Sequence, residues 1–281
     1  MLGVPSDSLI TESPGASEGP DAIRQASQHT GSYSVSDQKL SDRRNSRLAD
    51  IGNVQTNRAD PEETLSFTYH TVRSILEIGS APVVVGGDHS LTYGCVKAAA
   101  EHHPDVCLLH IDAHYDATDP SEHGCRINHG TYVRNLIQDN IIGGSQIIQI
   151  GMRDYQWSAS AYNFISSNAV WTLPIREFEN EGAKPFFNKL NELKNIPLYI
   201  SLDIDSVEPA FAPGAGEDMP GGFYSREILA IIKRIFAGQH KIIGCDLVEV
   251  NPLRDSRGIT CSLAAELLGL MVDGLTKPTA F

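Results

Sequence analysis

Residues 82–116 decide the fold, and they read PVVVGGDHSLTYGCVKAAAEHHPDVCLLHIDAHYD. The β-branched run at 82–85 predicts a short buried strand that a pair of glycines ends. A helical pattern follows at about 90–102, and the apolar run at 106–111 predicts a second buried strand. A strand, a helix and a second strand make a βαβ unit, in which the two strands lie parallel in one sheet.

The same alternation continues to the end of the chain. Further strands are predicted at 147–150, 170–173, 198–202 and 242–247, and helices at 131–139, 183–194, 225–236 and 262–273. Asp60 is the expected N-cap of a helix that begins at Pro61. Residues 5–60 are rich in Ser, Asp, Gly and Asn and are expected to form loops and short elements. We therefore expect one α/β domain over residues 1–281, with a mostly parallel sheet covered on both faces.

Composition argues against several classes of protein. The chain has 22 Lys and Arg against 35 Asp and Glu, and its net charge of −13 disfavours a nucleic-acid binder and a polybasic membrane-surface protein. Apolar residues make up 41% of the chain, which is enough for a large core. The sequence shows no signal peptide and no apolar run of about 18 residues. Five scattered cysteines without a C-x-x-C pair predict reduced thiols in a cytoplasmic protein.

Histidines and aspartates gather where the predicted strands end. In open parallel sheets, ligands bind outside the carboxyl ends of the strands. The residues at these ends are His89, then Asp112, His114 and Asp116, and then Asp203 and Asp205. Because residues i, i+2 and i+4 beyond a strand share a direction, we expect the three side chains of the D-x-H-x-D segment to converge.

These six side chains predict a binuclear metal site. Four carboxylates packed into one cleft would repel one another and raise each other's pKa values, and a divalent cation removes that repulsion. Two cations would use all six side chains, with two carboxylates bridging. Two imidazoles and four carboxylates suit Mn²⁺ better than a metal that prefers thiolates, while zinc, nickel and iron are open alternatives. Two metals a few Å apart can share a hydroxide and present it as a nucleophile at neutral pH.

Four motifs carry a resemblance to a known family, namely GGDHS at 86–90, DAHYD at 112–116, SLDID at 201–205 and EVNP at 249–252. In this order they resemble the motifs of the ureohydrolases, the family of arginase, agmatinase, guanidinobutyrase and proclavaminate amidinohydrolase. NHGT at 128–131 and EPAFAPG at 208–214 are similar to the agmatinase branch. The resemblance extends from about Gly3 to the helix after residue 258, which is nearly the whole chain.

The resemblance implies a three-layer α/β/α fold of the arginase/deacetylase-like type with two Mn²⁺ ions per subunit. The residues that match the family's ligand positions divide into three pairs. One ion would be held by His89 and Asp116, the other by His114 and Asp205, and the bridging pair would be Asp112 and Asp203. The family commonly forms trimers or hexamers, so a homo-oligomer is expected.

The resemblance also implies roles in catalysis. A bridging hydroxide, oriented by Asp116, would attack the amidine carbon of a guanidino compound of the agmatine or guanidino-acid type and release urea and an amine. Glu249 would hold the guanidinium through charge-assisted hydrogen bonds, and His129 would pass a proton to the leaving amine. The alternative is that His129 is only a loop histidine and Glu249 only a structural acceptor. The expected partner is a small cationic guanidino substrate.

Three segments depart from the family pattern. The start reads GVPSDS and ESPG where G-x-P-x-D-x-G and R-P-G are usual, so a truncated first strand is expected. The usual T-G-T-P loop is AGEDMPGG at 215–222, where Glu217 and Asp218 add negative charge. Either this loop has drifted on the surface, or its charges favour a substrate with extra positive charge at its far end. The loop at 117–128 is expected to line the mouth of the pocket.

Two other functions are open on the sequence alone. The same metal site would also suit hydrolysis of a formimino or other amidine compound with release of formamide, although the NHGT segment is agmatinase-like. A non-catalytic regulatory homologue that retains its metals is the second alternative. The altered loops motivate it, and the intact His129 and Glu249 argue against it.

Overall fold

A seven-stranded sheet forms the centre of the protein, and all of its strand pairs are parallel. The computed structural model describes residues 1–31, 33–35, 38–40, 47–122, 125–156 and 158–276. The strands are β1 (Leu2–Val4), β2 (Tyr33–Ser34), β3 (Lys39–Leu40), β4 (Val83–Gly86), β5 (Cys107–Ile111), β6 (Ile147–Ile150), β7 (Trp171–Leu173), β8 (Pro197–Asp203) and β9 (Lys241–Val248). The order across the large sheet is β1-β4-β9-β8-β5-β6-β7, and β2 and β3 form a separate antiparallel pair.

Helices cover both faces of the sheet. They are α1 (Gly19–Ser27), α2 (Pro61–Glu77), α3 (Leu91–His102), α4 (Tyr132–Gln138), α5 (Ala159–Ser167), α6 (Ile175–Glu181), α7 (Lys184–Glu192), α8 (Ser225–Ala237) and α9 (Ile259–Leu275). Alternate strand residues point to opposite faces. Val83 and Val85 pack in a core layer with α7, α8 and α9, whereas Val84 packs in a second layer with α2, α3 and α4. The predicted α/β fold with three layers is therefore confirmed.

The strands and helices predicted from periodicity are all present, and three helices were not predicted. Within residues 5–60, which were expected to form loops and short elements, the structure has α1, a nine-residue helix with Pro20 in its first turn. This helix buries one large apolar side chain, Ile23, and it is shorter than the roughly 11–18 residues over which a helical period can be recognised. The unpredicted α5 and α6 are also short, with nine and seven residues. The predicted N-cap is confirmed, because the Asp60 carboxylate accepts the Glu63 amide at 3.3 Å.

The strands that lead to the predicted site residues are neighbours in the sheet. β4, β9, β8 and β5 adjoin in that order and run parallel, so their carboxyl ends meet at one edge. His89 follows β4, Asp112 follows β5, Asp205 follows β8 and Glu249 follows β9. The topology therefore brings residues far apart in the chain to one place.

The glycine pair after β4 is required by a close approach of the N-terminal segment. The Gly87 amide donates to the Val4 carbonyl at 3.1 Å, and a Cβ on Gly87 would lie 1.9 Å from the Ser6 carbonyl oxygen.

Gly87→Ala is therefore expected to lower the free energy of unfolding by about 1–3 kcal/mol, because the backbone around Ser6 must move. Chemical denaturation measures this loss. Gly143→Ala is the control, since its Cβ would meet its nearest atom at 3.6 Å, and equal losses in both variants would contradict the argument.

Candidate metal centre and substrate cavity

His89 lies at the centre of a cluster of three aspartates. Its Nδ1 atom is 3.0 Å from Asp112 Oδ2, 3.0 Å from Asp116 Oδ2 and 3.1 Å from Asp203 Oδ2. All four side chains are buried. The structure therefore brings together the predicted ligand pair of the first ion and both aspartates that were predicted to bridge.

His114 forms a second cluster that shares Asp112 with the first. Its Nδ1 atom lies 3.0 Å from Asp205 Oδ2 and 3.4 Å from Asp112 Oδ1. Asp112 thus presents one carboxylate oxygen to each histidine, which is the arrangement that a bridging ligand needs. Asp203 presents Oδ2 to His89, while its Oδ1 accepts the Asp205 amide at 2.8 Å. A bridging role for Asp203 stays a prediction.

The D-x-H-x-D segment converges through a bend that follows β5. Asp116 has a positive φ of 48°, which Asp tolerates better than most residues, so the segment is not extended. The His114 amide donates to Asp112 Oδ1 at 2.6 Å, and the Ala113 amide donates to Asp205 Oδ1 at 3.1 Å. These bonds fix two carboxylates. The predicted convergence is present, but the reason given for it, strand-like alternation, is wrong.

The buried cluster needs positive charge. Burial and the charges of Asp205 and Asp112 raise the pKa of Asp203 well above its usual range. Burial and the charge of Asp112 raise the pKa of Asp116 to about 6. His89 Nδ1 and Asp116 Oδ2 are buried without a hydrogen-bond partner among the described residues. A divalent cation would satisfy both atoms and balance the carboxylates, and imidazole with carboxylate is a ligand set such ions accept. The residues present therefore fit a metal centre.

His110 is a further candidate site residue, and it was not predicted from the sequence. Its Nε2 lies 2.6 Å from Asp112 Oδ2, in a group that includes His89 and Asp116 and whose ligand atoms lie within 4.8 Å of one another. Gln149 Nε2 donates to His110 Nδ1 at 2.9 Å, so the His110 proton lies on Nε2 and is donated to Asp112. His110 therefore supports the shared carboxylate. Its position two residues before Asp112 was the available signal.

A buried chain of hydrogen bonds holds His89 from the side away from the aspartates. Ser201 Oγ donates to Asp246 Oδ1 at 2.6 Å and lies 2.8 Å from His89 Nε2. Thr92 Oγ1 donates to the other oxygen of Asp246 at 3.0 Å. Because the single Ser201 proton goes to Asp246, His89 Nε2 must donate to Ser201. The lone pair of His89 Nδ1 then faces the carboxylates, as a metal ligand requires. Neither Ser201 nor Asp246 was predicted from the sequence to have a role at this site.

Ser201→Ala is expected to weaken metal binding by about 10- to 100-fold, because the hydroxyl that accepts the His89 Nε2 proton is lost. Calorimetric titration of the metal-free protein with MnCl₂ measures the affinity. Thr92→Ser keeps the hydroxyl that donates to Asp246 and is the control with unchanged affinity. Unchanged affinity in Ser201→Ala would mean that Tyr132, whose hydroxyl lies 3.1 Å from His89 Nε2, is sufficient to hold the ring.

Glu249 and His129 lie side by side next to the aspartates. Glu249 has a positive φ of 63°, and its Oε1 accepts the His89 amide at 2.8 Å. His129 Nδ1 lies 3.6 Å from the same oxygen, and its Nε2 accepts the Thr11 amide at 3.1 Å. Burial lowers the pKa of His129, but Glu249 and the charges of Glu217 and Asp116 raise it overall to about 9. Glu249 and His129, the two predicted catalytic residues that are not metal ligands, are thus close to the metal cluster.

A cavity of about 160 Å³ opens over the metal cluster. All of the predicted metal ligands except Asp112 line it, and so do His129 and Glu249. In the described part of the loop at 117–128, Thr118 lines the cavity, whereas Arg126 turns to Asp139 at 3.0 Å. Residues 123 and 124 of this loop lie outside the described residues.

The loop at 215–222 directs its two acidic side chains to different places. Glu217 lines the cavity, and its Oε2 lies 3.0 Å from His114 Nε2. Asp218 contacts the Arg254 guanidinium and is not among the residues that line the cavity. The interpretation of a drifted surface loop is therefore wrong for Glu217, and the added negative charge in the cleft comes from Glu217 alone of the two.

Comparison with known proteins identifies the family. Residues 1–272 match the family model described as arginase family. The chain is 34% identical to proclavaminate amidinohydrolase of Streptomyces clavuligerus, over 95% of this chain and 84% of that protein. It is 33% identical to mitochondrial agmatinase of Gallus gallus, over 95% and 78%. It is 32% identical to mitochondrial guanidino acid hydrolase of Homo sapiens, over 99% and 78%.

Solved structures agree with this assignment. The structure of proclavaminate amidino hydrolase from Streptomyces clavuligerus superposes with a TM-score of 0.89 at 31% identity, over 98% of this chain and 90% of that one. No helix in the described part of the chain is long and apolar enough to cross a membrane. Because two of the named relatives are mitochondrial, the cytoplasmic location stays a prediction. The chain belongs to the arginase family, and it is a hydrolase of carbon–nitrogen bonds in amidines.

Proposed function

We propose that the chain is a binuclear manganese amidinohydrolase that converts a guanidino compound and water into urea and an amine. The observation that carries this proposal is one cavity in which Glu249 and His129 lie against the cluster of two histidines and four aspartates. Relatives named agmatinase and guanidino acid hydrolase support a guanidino substrate.

The two clusters would each hold one ion. His89 and Asp116 would bind the first, His114 and Asp205 the second, and Asp112 offers an oxygen to both. Two divalent cations held there would lower the pKa of water between them and so supply a nucleophile at neutral pH. The excess of carboxylate over imidazole ligands favours Mn²⁺ over metals that prefer nitrogen or sulfur.

Glu249 and His129 supply the remaining chemistry. A guanidinium donates paired N–H groups to a carboxylate, so Glu249 can orient the amidine carbon toward the cluster. When the oxygen of water adds to that carbon, the bond to the leaving nitrogen breaks and this nitrogen needs a proton. Unprotonated His129 Nε2 accepts the Thr11 amide, and protonated Nε2 can donate to Thr11 Oγ1 at 2.8 Å. Both protonation states thus have a partner, which suits a residue that transfers a proton.

A panel of guanidino compounds tests the proposal. Manganese-loaded protein is incubated with agmatine, guanidinobutyrate, guanidinopropionate, arginine and guanidine, and urea is measured. Urea from at least one compound is the expected result. Formamide released from a formimino compound, with no urea from the panel, would support the amidine alternative. Retained metal without any turnover would support the regulatory alternative.

Metal identity and subunit number are tested on the same preparation. Reconstitution with manganese, zinc, nickel or iron should give the highest turnover with manganese, and a higher turnover with another metal would replace that assignment.

From the family resemblance we also propose a trimer or hexamer. Light scattering coupled to size exclusion measures the mass, and a monomer would contradict this.

A further inference from the structure

Glu217 places an additional carboxylate deep in the proposed substrate cavity. Its Oε2 lies 3.0 Å from His114 Nε2, its Oε1 lies 4.0 Å from His129 Nε2, and its side chain is 15% exposed. On the other side of the His129 ring, Glu249 Oε1 lies 3.6 Å from Nδ1. His129 is therefore flanked by two carboxylates, of which Glu249 is the proposed guanidinium acceptor.

The loop that carries Glu217 is fixed from two directions. Glu208 Oε2 accepts both amides of the glycine pair at 221–222, at 2.6 and 2.9 Å. Arg153, which is buried, donates from Nε to the Met219 carbonyl at 3.1 Å. These contacts hold the loop against the body of the protein. The position of the Glu217 carboxylate in the cavity is therefore a property of the folded loop.

The remaining charge of the cavity is negative. Apart from the metal ligands, its described lining includes Glu12, Glu217 and Glu249, and it includes no Lys or Arg. Two bound divalent cations balance the four aspartates, so these contribute no net charge to the loaded enzyme. Protonated His129 offsets one of the three glutamate charges, and the remaining negative charge sets up an electrostatic field that is strong in a cavity with low-dielectric walls.

We propose that Glu217 selects substrates by the charge of their tail. Guanidino compounds that end in an ammonium group are preferred, those with an uncharged tail are intermediate, and those that end in a carboxylate are disfavoured. This inference rests on the proposed function and deepens it. Glu217 lies beside His114 at the metal end of the cavity, whereas the positive charge that it favours is at the far end of the substrate, as one of the two interpretations of this loop expected. The Glu217 carboxylate therefore acts on the charged tail of the substrate at a distance, through its electrostatic field.

Three substrates of similar length test this inference on the metal-loaded protein. Agmatine has an ammonium tail, butylguanidine an uncharged tail and 4-guanidinobutyrate a carboxylate tail. The value of kcat/KM is expected to fall in that order, by about tenfold or more between the first and the last. Glu217→Gln should reduce the ratio of kcat/KM for agmatine to kcat/KM for 4-guanidinobutyrate by about tenfold. Any effect of the substitution on His114 or on the metals changes both values alike and cancels in this ratio.

Asp218→Asn is the matched control, because it removes the same charge from the adjacent residue that contacts Arg254. Its ratio of kcat/KM for agmatine to kcat/KM for 4-guanidinobutyrate should match that of the unchanged protein.

A second measurement does not need turnover. Calorimetry should show tighter binding of 1,4-diaminobutane than of 4-aminobutyrate, and Glu217→Gln should reduce that difference in affinity. Urea formation with equal or reversed preference, or an unchanged ratio in Glu217→Gln, would overturn the inference alone. Absence of urea from these three substrates, with urea from another member of the guanidino panel, would also overturn the inference alone, whereas absence of urea from the whole panel would overturn the proposed function and the inference with it.

Discussion

Asp112→Ala is expected to remove bound metal and enzymatic activity together. Asp112 is the shared member of the two clusters, with Oδ2 at 3.0 Å from His89 Nδ1 and Oδ1 at 3.4 Å from His114 Nδ1. Its loss takes one oxygen from each proposed ion. It also leaves the His110 Nε2–H group, whose nitrogen lies 2.6 Å from Asp112 Oδ2, without its acceptor. We therefore expect metal affinity to fall by more than the roughly 10- to 100-fold that follows loss of a supporting residue.

Metal analysis after dialysis and a urea assay on the same sample measure both effects. Asp105→Ala is the matched control, because Asp105 is an exposed aspartate just before β5, at the opposite end of the strand that leads to Asp112. The control should keep its metal and its activity. Circular dichroism shows whether the Asp112 variant is still folded. A folded Asp112→Ala protein that retains two ions per subunit would refute the assignment of Asp112 as the shared ligand.

The metal ligands could be predicted because they follow directly from the strand pattern. The runs of apolar residues locate the strand ends, and parallel order brings those ends to one edge, so His89, Asp112 and Asp205 meet without further information. The helix α1 could not be predicted in the same way, because its nine residues are too few for a helical period to be recognised. Its place in the fold is set by packing against α9 and β4, which a local sequence pattern does not contain.

The residues that support the ligands could not be predicted from local patterns. Ser201 and Asp246 lie inside buried strands, where a polar residue gives no hint of its partner until the register of β8 and β9 is known. The orientation of Glu217 depends on contacts of its loop with Glu208 and Arg153. The positive φ of Asp116 is likewise set by the surrounding structure. The candidate ligands and catalytic groups thus follow from the sequence, whereas the groups that orient them follow only from the structure.

His129→Ala is expected to keep both metals and to lower kcat by about 10²- to 10⁴-fold, the range that general acid–base catalysis contributes. His129 belongs to neither group of clustered ligand atoms, so its loss leaves the metal centre intact. Steady-state urea assays and metal analysis separate the two effects. His129→Gln keeps a polar side chain that cannot transfer a proton, and it should be as slow as the alanine variant. Full activity in either variant would contradict the role in proton transfer.

The pH profile provides the sharper test of the same role. Burial lowers the pKa of His129, but Glu249 together with the charges of Glu217 and Asp116 raises it overall to about 9 in the protein without ions. Bound cations nearby oppose a second positive charge and lower that value. A raised pKa means that the acid form is present at lower pH and is lost as the pH rises through the pKa. We therefore expect activity to fall on the alkaline side with an apparent pKa below about 9, and this limb should be absent in His129→Ala. If the limb persists in the variant, another group supplies the proton to the leaving amine.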